Sequence, residues 1–236
     1  MPAGVDRDVF EQLVDSVERF ARERLIPAER RVEEEDAIPE EIVAEMKEMS
    51  LFGLSTPEEF GGIGLNVPQE ARLIETLCYA SLTFRSLIGT NVGIGSQGIV
   101  MDGTQAQKER WLPGVASGDV IASFALTEPD NGSDAGGIRT SARRDGGDFV
   151  INGTKRYITN AVRAGVFTVF ARTDPEKDGA DGVSAFIVPA DTPGITVAKP
   201  DRKLGQRGTK TSDVIFDDVR VPESAILGGP DRLHQG

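Results

Sequence analysis

Ala125-Leu126-Thr127-Glu128-Pro129-Asp130-Asn131-Gly132-Ser133-Asp134-Ala135-Gly136-Gly137 is the stretch where the chain changes character. It joins the apolar segment 120–126 to a turn rich in Gly, Ser and Asp. A strand end followed by backbone amides and hydroxyls is suited to hold a flat cofactor and its phosphates, because those groups donate hydrogen bonds to anions. The plain alternative is a Gly-rich connection between two strands. Near Gly118 the hydrophobic period passes from about 3.6 residues to 2. Downstream, Phe149-Val150-Ile151 and Tyr157-Ile158 flank Asn152-Gly153, the pattern of a two-residue hairpin turn. Asp145-Gly146-Gly147-Asp148 marks another turn just before, and 166–171, 183–188, 195–198 and 214–221 read as further strands. Closely spaced strands joined by hairpins predict an antiparallel β-barrel or sandwich.

Upstream the chain reads as helices. Val9, Phe10, Leu13, Val14, Val17, Phe20 and Ala21 recur at three- and four-residue steps and form one apolar stripe. The charge run Glu33-Glu34-Glu35-Asp36 ends that helix, and Pro39 opens a second with Ile42, Met46 and Met49 inward. Pro57-Glu58-Glu59-Phe60-Gly61-Gly62-Ile63-Gly64 is a Gly-rich turn before a helix that Pro68 begins, and further helices are expected over 69–84, 86–101 and 105–117. The predicted class is therefore α+β: an all-helical domain over 1–117, followed by an antiparallel β domain over 118–236.

The totals exclude several functions. At 236 residues, 39% hydrophobic and 27% charged, the chain is a soluble globular protein of one large or two modest domains. No apolar run approaches a bilayer span, and the N-terminus lacks the look of a signal or transit peptide, so the expected location is cytoplasmic and no membrane is involved. A net charge of −12 argues against nucleic acid. A single cysteine, Cys78, rules out an internal disulfide and any Cys-rich metal site, and it is expected on a buried helix face. The single histidine, His234, has no partner histidine, so no metal centre is expected.

Gly93-Ile94-Gly95-Ser96-Gln97-Gly98 satisfies the dinucleotide pattern G-x-G-x-x-G. The context is wrong for it, because that motif needs a preceding buried strand, a crossover helix and a parallel sheet. Close packing, or a smooth wall for an acyl chain, accounts for the small residues.

Leu126-Thr127-Glu128-Pro129 with Gly132-Ser133-Asp134 resembles the signature of the acyl-CoA dehydrogenases, which are FAD enzymes. Asn152-Gly153-Thr154-Lys155, followed by Tyr157-Ile158-Thr159-Asn160, is similar to the family's second flavin-contacting segment, with Tyr157 where many members have Trp. Lys203-Leu204-Gly205-Gln206-Arg207, Thr209, Thr211 and the run Phe216-Asp217-Asp218-Val219-Arg220-Val221-Pro222 resemble its late β-domain stretch, and the 57–64 turn resembles another recurrent segment. The likeness runs through nearly the whole chain.

The resemblance implies roles. Thr127 and Thr159 hydrogen-bond the polar edge of the isoalloxazine, while Phe124, Leu126, Tyr157 and Ile158 line the slot of the ring. Gly132 lets the backbone approach closely, and Ser133 meets a cofactor phosphate or a substrate phosphate or pantetheine group. Glu128 and Asp134 are read as structural turn residues in preference to catalytic ones. Lys199, Arg202, Lys203, Arg207 and Lys210 form either a site for CoA phosphates or a solvated basic face. Arg85-Ser86 is placed as in glutaryl-CoA-type members, where the Arg pairs with a distal carboxylate; pairing to a surface acid is the preferred reading.

The family oxidises acyl-CoA thioesters to 2,3-enoyl-CoA in fatty acid metabolism. A Glu removes the α-proton, FAD accepts the β-hydride, and an electron-transfer flavoprotein reoxidises the flavin. Members continue into a C-terminal helical bundle that supplies the Glu and the contacts of homodimers or homotetramers. No carboxylate in 1–236 matches that base, so the catalytic Glu is expected beyond Gly236, and this chain alone is expected to hold FAD weakly and to be inactive. Two other readings stand beside it: a related flavin oxidase or monooxygenase, and a non-catalytic flavin- or acyl-CoA-binding module.

Overall fold

The computed structural model describes residues 3–234. Its first half is helical: α1 (Arg7–Phe20), α2 (Ile26–Glu35), α3 (Glu40–Glu48), α4 (Val67–Leu77), α5 (Leu82–Thr90), α6 (Gln97–Asp102) and α7 (Gln105–Ser117). The strands are β1 (Ile121–Ala125), β2 (Ser141–Asp145), β3 (Asp148–Thr159), β4 (Ala164–Arg172), β5 (Val183–Pro189), β6 (Ile195–Val197) and β7 (Thr211–Pro222). No helix among the described residues is long and apolar enough to cross a membrane.

Local chemistry explains most helix ends. Asp6 caps α1 through its carboxylate, and its stripe buries Phe10, Val14, Val17 and Phe20, while Val9 faces outward. Pro27 has no N–H to give the Glu23 carbonyl, and the helix opens into a wide turn over Ala21–Leu25 before α2 resumes. Asn66 and Gln69 form a capping box on α4, and Thr104 and Gln107 form one on α7.

Two expected helices divide differently. The helix expected over 69–84 stops at Leu77, because the Ser81 hydroxyl accepts from the Thr83 amide and starts α5 afresh. The one expected over 86–101 breaks at Asn91–Gly95, where Gly93 leaves helical geometry. Cys78 sits half-buried at the end of α4 rather than on a buried face.

The sheet runs β1-β4-β2-β3-β7-β6, with β5 on the other side of β4. The expected barrel or sandwich is thus a single curled sheet that is mixed rather than wholly antiparallel: β1 lies parallel to β4, and β2 meets β4 in parallel at Ser141 and Arg172. β1 and β4 can pair in parallel because no hairpin joins them directly: the 126–140 loop and the β2–β3 hairpin lie between them in the chain. The hairpin expected at Asn152-Gly153 is instead the middle of the continuous strand β3. Gly153 lies at a register shift against β7, and a Cβ there would stand 2.4 Å from Thr140 Oγ1, so the glycine serves a close strand crossing. The turn is at Gly146-Gly147, joining β2 to β3 with Asp145 opposite Asp148.

One apolar core fills the helices and a second the β domain. A third group, including Leu112, Val115, Ala122, Val166 and Ile187, packs α7 against β1, β4 and β5. Asn91, fully buried, binds three segments across that seam. Its Nδ2 donates to Phe52 O (3.1 Å) and Val115 O (3.0 Å), and its Oδ1 accepts from Ala122 N (2.8 Å). Gly95 abuts the same strand: a Cβ would lie 2.6 Å from Ala122 O, so close packing accounts for Gly95, while the space around Gly93 is open. Gln107 clamps the far side, donating to Ser224 O (2.9 Å) and Ile226 O (2.7 Å).

Replacing Asn91 by Leu keeps the volume but strands two carbonyls and one amide. It should cost about 3 kcal/mol, read as a lower urea midpoint followed by Trp111 fluorescence. A loss below about 1 kcal/mol would remove Asn91 from this role.

Candidate functional site

The site lies where the end of β1 meets the end of β3. Alternation along β1 sends Ala125 into the β core and leaves Phe124 half-buried on the side of the helices, its ring 5.1 Å from that of Phe170. Two bonds bring the segments together: Arg156 N donates to Thr127 O (2.7 Å), and Ser123 Oγ to Thr159 O (2.9 Å). Phe124, Leu126, Thr127, Tyr157 and Thr159 thus converge, each only partly buried except Tyr157, which is 58% exposed.

Tyr157 stands out of the sheet because β3 bulges against β7 between Lys155 and Ile158. Its φ of 58° is left-handed, a conformation costing an aromatic residue about 1–3 kcal/mol. The Arg156 guanidinium lies over the ring at 4.9 Å and is itself paired to Asp213 at 3.3 Å. The bulge turns Ile158 the other way: its side chain is in the β core, so only its backbone faces a ligand there.

Gly132 and Ser133 are exposed in the loop between β1 and β2, and nothing lies within 4 Å of a Cβ built on Gly132. Asp134 closes the following turn, accepting from Gly137 N at its carbonyl (3.1 Å). Beside Asp134 opens a cleft of about 850 Å³ lined by Arg139, Arg143, Arg144, Lys177 and Thr173. Arg172 shapes it, its guanidinium donating to the carbonyls of Gly136 (2.5 Å), Ile138 (3.2 Å), Lys177 (2.9 Å) and Gly179 (3.2 Å). Asp134 and Asp178 also line it, and Arg144 pairs with Glu223 at 2.7 Å, but cations outnumber acids along its wall, which favours anions there.

Under the loop is a buried ion pair. Lys155 Nζ lies 2.9 Å from Glu128 Oε1 and donates also to Leu126 O at 3.0 Å. Glu128 further accepts from Arg139 N (2.6 Å) and Thr140 N (2.8 Å). Burial pulls the Glu128 carboxyl up, but the hydrogen bonds from Thr140, Arg139 and Lys155 outweigh it and hold it at about 2. Burial draws the Lys155 ammonium down, against the pull of Glu128. With its oxygens committed in this way, Glu128 is a structural residue, as read from the turn.

Arg85 is exposed on α5 with its guanidinium folded toward Gly89. Its positive charge acts on the half-buried Glu70, whose carboxyl is raised by burial and partly restrained by a hydrogen bond with Ser55 and by Arg85. Ser86 Oγ donates to Gln206 Oε1 (3.2 Å). Two members of the basic cluster are spent on the fold: Lys210 pairs with Asp36 at 2.5 Å, and Arg207 lies 3.8 Å from Glu33, tying the late loop to the end of α2. Lys199 and Arg202 remain solvated.

Sequence reasoning missed Lys155, Arg172 and the Arg156–Asp213 pair. Lys155 carried a signal: Phe149, Ile151, Gly153 and Lys155 share strand parity, which places a lysine on the inner face. Arg172 and Asp213 carried none, since their partners are backbone carbonyls and a residue 57 positions away.

The sequence profile for the acyl-CoA dehydrogenase N-terminal domain matches residues 8–119, and that for the acyl-CoA dehydrogenase middle domain matches 123–219. The chain belongs to the acyl-CoA dehydrogenase family. Similar members include an acyl-CoA dehydrogenase of Bacillus subtilis, 39% identical over 212 residues, which are 90% of this chain and 56% of that protein. Human mitochondrial short-chain specific acyl-CoA dehydrogenase is 39% identical over 223 residues, 94% of this chain and 54% of its own length. The glutaryl-CoA dehydrogenase of Mycobacterium smegmatis, solved with FADH2, superimposes with a TM-score of 0.85 at 38% identity, over 94% of this chain and 56% of that one. The chain thus spans little more than half the length of these family members.

The acid side of the Glu128 titration is testable. A carboxyl held near 2 stabilises the fold fully above its unfolded value and loses that contribution as pH falls from about 5 toward 2. Glu128→Gln should therefore be destabilised at neutral pH but lose less further stability on acidification, in circular dichroism titrations of both proteins. Parallel curves for the two would show that Glu128 does not govern the acid limb.

Proposed function

We propose that this chain forms the FAD- and acyl-CoA-binding portion of an acyl-CoA dehydrogenase. The observation that carries the reading is the Arg156–Thr127 backbone bond, which sets two hydroxyl-bearing segments, the partly buried Phe124 and Leu126 and the exposed Tyr157 around one slot beside a cationic cleft. The residues fit a flavin. Thr127 and Thr159 offer hydrogen bonds to a polar edge, Phe124, Leu126 and Tyr157 offer apolar walls that exclude water, and the open space at Gly132 admits a phosphate beside Ser133.

Bound there, FAD supplies the acceptor for a hydride from the β-carbon of the thioester. The chain's own work is to place the two partners. Arg139, Arg143, Arg144 and Lys177 hold the phosphates of CoA, and the apolar walls keep water from the reacting carbons. Glu128 does not take the α-proton, since it is fully engaged by Lys155 and the loop amides. The products are 2,3-enoyl-CoA and reduced flavin, which an electron-transfer flavoprotein reoxidises. A homo-oligomer and a cytoplasmic setting complete this reading, with a helical domain over 1–117 and a β domain over 118–236.

Arg85 bears on the acyl group. The Arg85-Ser86 pair and the similarity to a glutaryl-CoA dehydrogenase favour a distal carboxylate, but Arg85 already faces the charge of Glu70. We therefore favour a monocarboxylic acyl group.

The direct test adds FAD to the purified chain, follows quenching of flavin fluorescence, then adds acyl-CoA thioesters anaerobically. Weak flavin binding, lowered about tenfold in affinity by Tyr157→Ala and without bleaching by any thioester, is the expected result. Bleaching would place a working base inside the chain, and no flavin binding at saturation would sink the reading for this portion. In the same assay Arg85→Gln should alter glutaryl-CoA and butyryl-CoA affinity equally; a selective loss of glutaryl-CoA would reverse the assignment of the acyl group.

A further inference from the structure

The loop from Thr127 to Ile138 leaves β1 and returns to β2 with few bonds of its own. Glu128 N and Asn131 N exchange bonds with each other's carbonyls at 2.9 and 3.3 Å, Gly137 N reaches Asp134 O at 3.1 Å, and residues 132–135 are exposed. Closing such a loop costs entropy, and short internal turns do not set the distance between its two ends. Arg156 N holds the Thr127 carbonyl and Arg172 the Gly136 and Ile138 carbonyls, and the contact that bridges one end of the loop to the other at the neck is the pair Glu128 and Lys155. Lys155, wholly buried on β3, grips the departing end at Leu126 O, and Glu128 grips the returning end at Arg139 N and Thr140 N.

Stability alone is a poor account of this pair. Burying two charges costs solvation that their attraction only partly returns, and well-packed apolar residues are often as stable or more so. Solvated pairs such as Arg31 with Glu35 and Glu41 carry no such cost. The buried pair does supply four directed, charge-assisted contacts in one place, three of them to backbone groups on opposite sides of the loop neck.

We propose that Lys155 and Glu128 are positioning residues that hold the Thr127–Ile138 loop in its ligand-binding shape before a ligand arrives. Resting on the flavin reading above, this makes the pair a source of cofactor affinity: Thr127 and Ser133 meet FAD without first having to be ordered. Lys155 and Glu128 touch no ligand themselves; they act through the Leu126 carbonyl and the Arg139 and Thr140 amides.

The test compares the parent chain with Lys155→Met and with the double variant Glu128→Gln, Lys155→Met. The single change leaves a buried carboxylate unpaired and is expected to lower the melting temperature. The double change is neutral, and its melting temperature should return close to the parent's. Hydrogen exchange is then read at Asn131 N and Gly137 N, which bond only within the loop, and at β4 and β5 amides as a control. In the double variant the loop amides should exchange at least tenfold faster with β4 and β5 unchanged, and the Kd for FAD should rise at least tenfold. A double variant with parent-like loop exchange, or with fast exchange and parent-like FAD affinity, would reduce the pair to a packing element and overturn the proposal. Failure of the parent to bind FAD would show in the parent alone and would count against the flavin reading, while the exchange rates would still decide whether the pair orders the loop.

Discussion

A buried carboxamide on the helical side anchors the seam between the helices and β1. Asn91 satisfies the Phe52 and Val115 carbonyls and the Ala122 amide at once, in a seam with no access to water. Each of those groups belongs to a different segment, and each would cost free energy if left unpaired. The bonds to Phe52 and Val115 fix Asn91 within the helical layer, which therefore cannot slide on β1 without breaking the bond from the Ala122 amide. The candidate site depends on this, because β1 ends at Ala125 and Leu126 and Thr127 follow directly from that strand.

From that anchor the chemistry of the site follows in short steps. β1 lies parallel to β4 and is tied to the end of β3 by Ser123, so residues more than 30 positions apart line one slot. The bulge in β3 then divides its residues: Ile158 fills the core, and Tyr157, in a left-handed conformation, stands outside with Arg156 over its ring. Strain of this kind persists where surrounding structure over-determines it, here by the Arg156–Asp213 pair and the bond to Thr127. Charge is arranged with similar economy. Acidic residues predominate, yet arginines collect around one cleft, and two of the late-loop cations are taken up by the acidic end of α2.

Much of this was legible in the residues. The change of period near Gly118, the helix caps and the strands from 166 onward are local signals, and the helices end at Ser117 and the strands begin at Ile121. The run 125–137 was read as a strand end followed by a turn, as the structure has it, and Glu128 was rightly read as structural. Reading failed where a local preference was overruled at a distance. Asn152-Gly153 is a good turn in isolation, but the closeness of Thr140 requires a glycine inside a through-running strand. Ile158 belongs to the expected segment, but a bulge decided which way it points.

The sequence by itself determined the family and the order of helices before strands, because these depend on hydrophobic period, capping residues and short motifs that act over a few positions. Only the tertiary structure decided that the sheet is mixed, that Lys155 meets Glu128 beneath the loop, that Arg172 stitches the cleft and that Asn91 binds the seam. Those are contacts between residues far apart in the chain, and their energy comes from desolvation and geometry that exist only once the two layers have closed on each other.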